Sequence, residues 1–98
     1  MRDLRRVVGV AAVGFAVAAG SAAAAPPPGA AACSGCHAAS REVATPVPRL
    51  AGRDADEIVD AMRAFRAGER EATVMDRIAR GFTDAEVRAI AAWYASQR

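Results

Sequence analysis

Residues 33–37 of the chain read Cys33-Ser34-Gly35-Cys36-His37, and they are the most informative stretch of the sequence. Two thiols separated by two residues and followed at once by an imidazole form the attachment signal for a c-type haem. On a helix, the i, i+3 spacing puts both sulfur atoms on one face, where they can add to the two vinyl groups of haem. We therefore predict covalent attachment through Cys33 and Cys36, with His37 as an axial ligand of the iron.

Two other uses of a Cys-x-x-Cys pair fit the sequence less well. A structural zinc site takes four ligands, whereas the chain has two cysteines and one histidine. A thiol–disulfide couple of the thioredoxin kind needs βαβ patterning around the motif, and the sequence shows no strand pattern. Both remain as weaker alternatives to haem attachment.

The first 25 residues have the pattern of an export signal. Three arginines lie near the start, an apolar run follows over residues 7–19, and small residues suited to signal peptidase occupy positions 21–25. We predict a cleaved signal peptide over residues 1–25, cut between Ala22 and Ala25, and a periplasmic domain over residues 26–98. Export agrees with the motif, because haem is attached covalently outside the cytoplasm. The alternative is an uncleaved membrane anchor, since residues 7–25 carry no charge.

The composition of residues 26–98 predicts one small domain that depends on its cofactor. A domain of this length buries little core unaided, so we expect the large apolar haem to be structural as well as functional. Ten arginines balance ten acidic residues in this span, which makes the polypeptide formally neutral. Without a basic stripe or an aromatic platform, nucleic acid is not an expected partner.

Local sequence patterns predict an all-α domain of three to five short helices. The alanine-rich residues 30–39 predict a first helix that carries the haem motif. Pro46 and Pro48 exclude a long helix after it, because proline lacks an amide donor and biases the preceding residue toward extended geometry. We therefore expect a loop between the first and second helices.

Capping residues predict the ends of two further helices. Asp54 is expected to be the N-cap of the second helix, which ends at Gly68. Thr83 and Glu86 form a capping box that predicts the start of the last helix. Four apolar side chains of that helix recur at helical spacing and predict one buried face: Val87, Ile90, Ala91 and Tyr94.

The second axial position of the iron calls for a methionine, because the chain has no second histidine. Met62 lies on the apolar stripe of the second predicted helix, where methionine is typically core filler. Met75 follows a polar loop, so we expect flexible chain to present it to the iron. His/Met ligation raises the reduction potential and leaves no position open for a substrate. The pattern thus predicts outer-sphere transfer of single electrons.

Three segments resemble the small class I c-type cytochromes of bacteria, of the c4-like kind. They are the haem motif over residues 33–37, the stretch Val47-Pro48-Arg49-Leu50-Ala51-Gly52, and residues 73–87. The second segment is similar to the family's Pro-x-Leu-Ala-Gly loop, and the third to its distal-methionine and final-helix segment. The resemblance implies the class I cytochrome c fold, with short helices wrapped around one covalently bound haem.

The resemblance also implies roles for residues around the haem. The carbonyl of Pro48 would accept from the second ring nitrogen of His37 and orient the imidazole. Leu50 would pack on the haem, and Trp93 would fill the contact between the terminal helices. The chain departs from the family's pattern at Ala38 and Arg53, where the family commonly has Gly and Gln.

A narrower resemblance bears on the partners. Phe65-Arg66-Ala67-Gly68-Glu69-Arg70, with the Met75 segment, is similar to the cytochrome subunits of flavocytochrome c sulfide dehydrogenases. The resemblance implies either a free electron carrier between redox proteins or a bound subunit that takes electrons from a secreted flavoprotein dehydrogenase. A terminal oxidase or a reaction centre would be the acceptor, and the chain would not catalyse alone.

Two alternatives remain at this point. A haem protein with an open iron site, acting as a sensor or like a peroxidase, would require that Met75 does not bind the iron. Membrane association is expected only if the leader is retained.

Overall fold

The computed structural model describes residues 9–18 and 25–98, and within these ranges it contains helices and no strand. In chain order the helices are α1 (Ala30–Cys33), α2 (Ala55–Ala67), α3 (Met75–Ala79) and α4 (Asp84–Ser96). The predicted all-α fold of three to five short helices is therefore confirmed. Both α1 and α2 pack against α4, and α3 packs against α2.

Much of the predicted leader, including the cleavage region before Ala25, lies outside the described residues. Residues 9–18 are described, and they are exposed and have no regular secondary structure. Among the helices of the described ranges, none has the length and hydropathy needed to cross a bilayer.

The ends of α2 agree with the predicted caps. The Asp54 carboxylate accepts from the amides of Asp56 at 2.9 Å and Glu57 at 3.1 Å, which satisfies two donors that a helix start leaves free. Gly68 ends the helix in the left-handed region with φ of +72°, where a residue with a Cβ atom would be strained.

α4 also begins and packs as predicted. The Thr83 hydroxyl accepts from the Glu86 amide at 3.2 Å, and the Glu86 carboxylate accepts from the Thr83 amide at 3.0 Å. These two bonds form the capping box. All four residues of the predicted apolar face are buried: Val87, Ile90, Ala91 and Tyr94.

The prediction that α1 extends from residue 30 to residue 39 is wrong, because the helix ends at Cys33. Beyond that point the amides of Ser34, Gly35 and Cys36 bond to carbonyls three residues back, which is the tighter 3₁₀ pattern. The Ser34 hydroxyl also donates to the Ala31 carbonyl at 2.6 Å, and such local bonds compete with helix continuation. The haem motif therefore begins on the last residue of α1 and continues through a turn.

The core lies where α1, α2 and α4 meet, and it is small. Its buried cluster consists of Ala30, Ile58, Ile90, Ala91 and Tyr94. No large side chain of the described residues is fully buried. Polar contacts matter in such a core, and the Tyr94 hydroxyl donates a buried hydrogen bond to the Ala30 carbonyl across 64 positions of sequence.

Replacing Tyr94 by phenylalanine tests this bond. Tyr94→Phe keeps the ring but leaves the Ala30 carbonyl without its donor in a buried position, which should destabilise the fold by about 1–3 kcal/mol. Denaturant unfolding of the haem-loaded protein measures the change. Ser96→Ala is the matched control, because it deletes an exposed hydroxyl that bonds to the Trp93 carbonyl on the same helix. Equal, small effects of the two substitutions would show that the Tyr94 bond contributes little.

Candidate haem site

The two cysteines of the motif are free thiols in different surroundings. Cys33 is half-buried, packs against the core cluster, and donates from its Sγ to the Gly29 carbonyl at 3.6 Å. Burial raises the pKa of the Cys33 thiol, so the sulfur is protonated near neutral pH. Cys36 lies three residues on in the turn and is exposed. The structure thus offers one thiol fixed at the core and a second one at the surface.

His37 is held by the loop that precedes α2. Its Nδ1 atom lies 2.6 Å from the Pro48 carbonyl oxygen. A carbonyl accepts hydrogen bonds and cannot donate, so Nδ1 carries the proton and Nε2 keeps its lone pair for a metal. The contact that the resemblance implied between these two residues is therefore present, and it sets both the tautomer and the orientation of the imidazole.

The loop that carries Pro48 is itself anchored to α4. The Gly52 amide donates to the Tyr94 carbonyl at 3.0 Å. Within the loop, the Arg53 Nε donates to the Arg49 carbonyl at 2.9 Å, and the Arg49 guanidinium donates to the Ala51 carbonyl at 3.2 Å. These bonds give the Pro48 carbonyl a fixed place relative to the core.

Leu50 and Trp93 lie beside the same core. Both are partly buried and pack against the buried cluster, as Cys33 does. The Trp93 and Tyr94 rings meet edge to face, with centroids 4.9 Å apart and planes at 84°. The structure therefore groups Cys33, Leu50 and Trp93 around one cluster, and separately pairs His37 with Pro48.

Met75 belongs to neither group: it is the first residue of α3, and it is not among the described side chains that pack against the buried cluster. From the sequence we expected a flexible segment to carry Met75. The structure instead has a short helix there, in which the Arg77 and Ile78 amides donate to the Val74 carbonyl. Met75 is half-buried, and so is Met62 on α2. Burial therefore does not distinguish Met75 from Met62 as a candidate ligand of the iron.

One residue that bears on this site was missed by sequence reasoning. Arg66 on α2 donates to the Ala79 carbonyl at 3.4 Å, to the Phe82 carbonyl, and to the Asp84 carboxylate at 2.7 Å. It therefore joins α2 to the end of α3 and the start of α4. Hydrogen bonding and the charge of Arg66 together lower the pKa of Asp84. The partners lie 13 to 18 positions away in sequence, and no local pattern marks such a contact.

These residues fit a covalently bound haem in three respects. There are two unpaired thiols at the required spacing, and an imidazole whose Nε2 is left free by the bond at Nδ1. The chain also leaves large apolar side chains uncovered, with Val74 48% and Ile78 38% exposed on either side of Met75 in the sequence. Thiols, a metal-binding nitrogen and uncovered apolar surface are what the attachment of a haem uses.

Comparisons with known proteins identify the family, although no family model matches the chain. The cytochrome subunit of sulfide dehydrogenase from Chlorobaculum tepidum is 34% identical over 62 residues, which cover 63% of this chain and 56% of that protein. Cytochrome c-552 of Acidithiobacillus ferridurans is 37% identical over 65 residues, covering 66% and 28% of the two chains. Cytochrome c-554(548) of Halomonas halodenitrificans is 34% identical over 69 residues, covering 66% and 83%.

An all-α fold with a Cys-x-x-Cys-His turn and an oriented imidazole defines a haem-attachment protein. The match over most of the Halomonas cytochrome makes the identification specific: the chain belongs to the c-type cytochromes and is a small class I member. Its cofactor is haem c with its iron, covalently bound. The chain spans about half the length of the Chlorobaculum relative and about a quarter of the Acidithiobacillus one.

The lowered pKa of Asp84 predicts how the ion pair with Arg66 responds to acid. Because the folded-state pKa lies below the unfolded one, the stabilisation is complete above about pH 4 and is lost as the pH falls through the folded-state pKa. Asp84→Asn should therefore lose less thermal stability than the wild type between about pH 6 and about pH 3. Thermal unfolding of the haem-loaded proteins at both pH values measures this.

Arg66→Gln provides the reciprocal check, since it removes the largest cause of the lowered pKa of Asp84, ahead of the charges of Arg63 and Arg88, and should also weaken the acid dependence. An unchanged acid dependence in both variants would contradict a role for this pair in acid stability.

Proposed function

We propose that the chain is an exported cytochrome that passes single electrons between redox proteins in the periplasm, with the iron held by His37 and Met75. The observation that carries this proposal is the Nδ1 contact of His37 with the Pro48 carbonyl, directly after the two thiols of the motif. That contact prepares Nε2 for an axial bond to iron. In the same proposal, residues 1–25 are a cleaved signal peptide and residues 26–98 are the mature domain.

The residues of the haem motif have separate roles. Cys33 and Cys36 would form the two thioether bonds to the haem. Because Cys33 is half-buried and packs on the core cluster, its bond would hold the haem beside the core. His37 would give the iron a nitrogen ligand, and Pro48 keeps its ring from rotating by accepting from Nδ1. Leu50 and Trp93 extend the apolar surface around Cys33, which keeps water away from the attachment.

Met75 is proposed as the second axial ligand. Met75 is the first residue of α3, and two exposed apolar residues, Val74 and Ile78, lie near it in the sequence. Met62 lies within α2 and is assigned to packing. When bound, the haem supplies a one-electron redox centre. The thioether of Met75 excludes substrates from the metal and favours the reduced state, which suits electron transfer without bond making.

A second function is favoured by one of the comparisons. The Chlorobaculum relative is the cytochrome subunit of a sulfide dehydrogenase, and the matched region covers 56% of it. The chain would then be a bound subunit that accepts electrons from a secreted flavoprotein dehydrogenase and passes them to a terminal oxidase or a reaction centre. Purification of the natively expressed protein separates the two functions, because a subunit co-elutes with a flavoprotein and a free carrier elutes alone.

Substitution of the motif cysteines tests the attachment. Cys33→Ala or Cys36→Ala removes one thioether bond, so each variant should carry much less covalent haem when expressed with a haem-maturation system. Haem staining of the denatured protein measures the yield. Ser34→Ala is the matched control, because it removes an exposed hydroxyl inside the same motif. Normal yields in both cysteine variants would contradict the attachment.

Substitution of the two methionines tests the second ligand. Met75→Ala should abolish the weak long-wavelength charge-transfer band that a methionine sulfur gives with oxidised haem iron, because no ligating sulfur then remains. Met62→Ala should keep the band, since it shortens a packing side chain. Absorption spectra of the oxidised proteins measure the difference.

Two other outcomes would change the assignment. Loss of the band in Met62→Ala alone would move the ligand to Met62. A wild-type protein that lacks the band and binds carbon monoxide readily would have an open iron site, as in a sensor or a peroxidase-like protein.

A further inference from the structure

α3, the helix that begins with Met75, is too short to be stable by itself. It has five residues, and no side chain caps its start at Val74. Isolated helices of this length are not populated in water, because nucleation costs more than a few backbone bonds return. Contacts with the rest of the protein must therefore hold α3 in place.

The apolar burial of α3 is limited. Ala79 is its one buried residue and Met75 is half-buried, whereas Ile78 and the preceding Val74 are exposed by more than a third. Burial of one alanine and of part of one methionine gives modest hydrophobic stabilisation. Polar contacts therefore contribute to holding this helix in place.

Arg66 makes those polar contacts from the last turn of α2. Its Nε donates to the Ala79 carbonyl at the C-terminal end of α3, and one terminal nitrogen donates to the Phe82 carbonyl in the following loop. The other terminal nitrogen pairs with Asp84 at 2.7 Å, at the first turn of α4. One planar guanidinium thus joins three consecutive segments of the chain, which a lysine could not do with the same geometry.

We propose that Arg66 is a positioning residue for the distal ligand: by fixing the end of α3, it keeps Met75 bound to the iron. The inference rests on the proposed ligation by Met75. Without these bonds, α3 separates from α2 more often, and the methionine sulfur leaves the iron for a larger fraction of time. Arg66 then sets how readily an external ligand reaches the oxidised iron, although it touches neither the sulfur nor the haem in this proposal.

The chain offers a matched control one turn earlier on the same helix. Arg63 pairs with Asp60 at 3.8 Å, and both side chains are at least half exposed. This pair lies within α2, and Arg63 acts on Asp84 of α4 through its charge alone, whereas Arg66 also forms a hydrogen bond with that carboxylate. Arg63→Gln and Arg66→Gln therefore remove the same charge from the same helix, and only the second one removes the link to the Met75 segment.

The test is the binding of imidazole to the oxidised, haem-loaded protein. Imidazole occupies the iron only when Met75 has left it, so its apparent affinity reports the population of the open state. Arg66→Gln should raise that affinity by about tenfold or more, since charge-assisted hydrogen bonds to three acceptors are lost. Arg66→Lys should fall between the wild type and Arg66→Gln, and Arg63→Gln should match the wild type.

Thermal unfolding, measured on the same samples, separates positioning from a purely structural role. A structural role lowers the unfolding temperature of Arg66→Gln and leaves its imidazole affinity at the Arg63→Gln value, which would overturn the proposal. If Arg66→Gln does not fold, Asp84→Asn replaces it, because it removes one of the three bonds and should raise the affinity by a smaller factor.

Failure of the ligation and failure of the positioning role give different results. If Met75→Ala leaves the methionine–iron band unchanged, the ligation is wrong and the positioning role is overturned with it. If that band depends on Met75 and Arg66→Gln still binds imidazole as the wild type does, only the positioning role is overturned.

Discussion

The hydrogen bonds of Tyr94 are the interactions on which the haem site depends. Its hydroxyl donates to the Ala30 carbonyl, at the start of the short helix that leads into the Cys-x-x-Cys-His turn. Its own carbonyl accepts from Gly52, at the end of the loop that carries Pro48. The two segments that must meet for His37 to contact Pro48 are therefore both tied to one residue of α4. Because α4 has a complete capping box and a buried apolar face, it holds both segments in fixed positions for that contact.

Local patterns predicted the parts of the fold that depend on neighbouring residues. The caps at Asp54, Gly68 and Thr83 and the buried face of α4 each follow from side chains within one or two turns of one another. The C-terminal end of α1 could not be found in this way, because alanine propensity favours a longer helix while the Ser34 hydroxyl and the 3₁₀ bonds end it.

Part of the candidate site was predictable from the sequence, as part of the fold was. The haem motif is a local signal, and the resemblance to c-type cytochromes supplied the contact between His37 and Pro48 that the structure contains. The helix that begins at Met75 and the contacts of Arg66 were not predictable from sequence. α3 has no capping side chain, and Arg66 bonds to groups that only the folded chain brings near. Sequence patterns thus name candidate ligands, whereas contacts such as those of Arg66 are found only in the folded chain.

The two sides of the proposed haem site are supported by different kinds of interaction. Cys33, Leu50 and Trp93 pack directly on the buried cluster, so opening the histidine side would disrupt the core of the whole domain. The methionine side has one buried alanine, the half-buried Met75 and a set of hydrogen bonds to an arginine that is about one-third exposed. Segments with few buried apolar contacts open at lower free energy than the core does. Motion of the proposed site should therefore begin at Met75. If Met75 binds the iron as proposed, the stability of that bond depends on polar contacts that lie outside the haem motif.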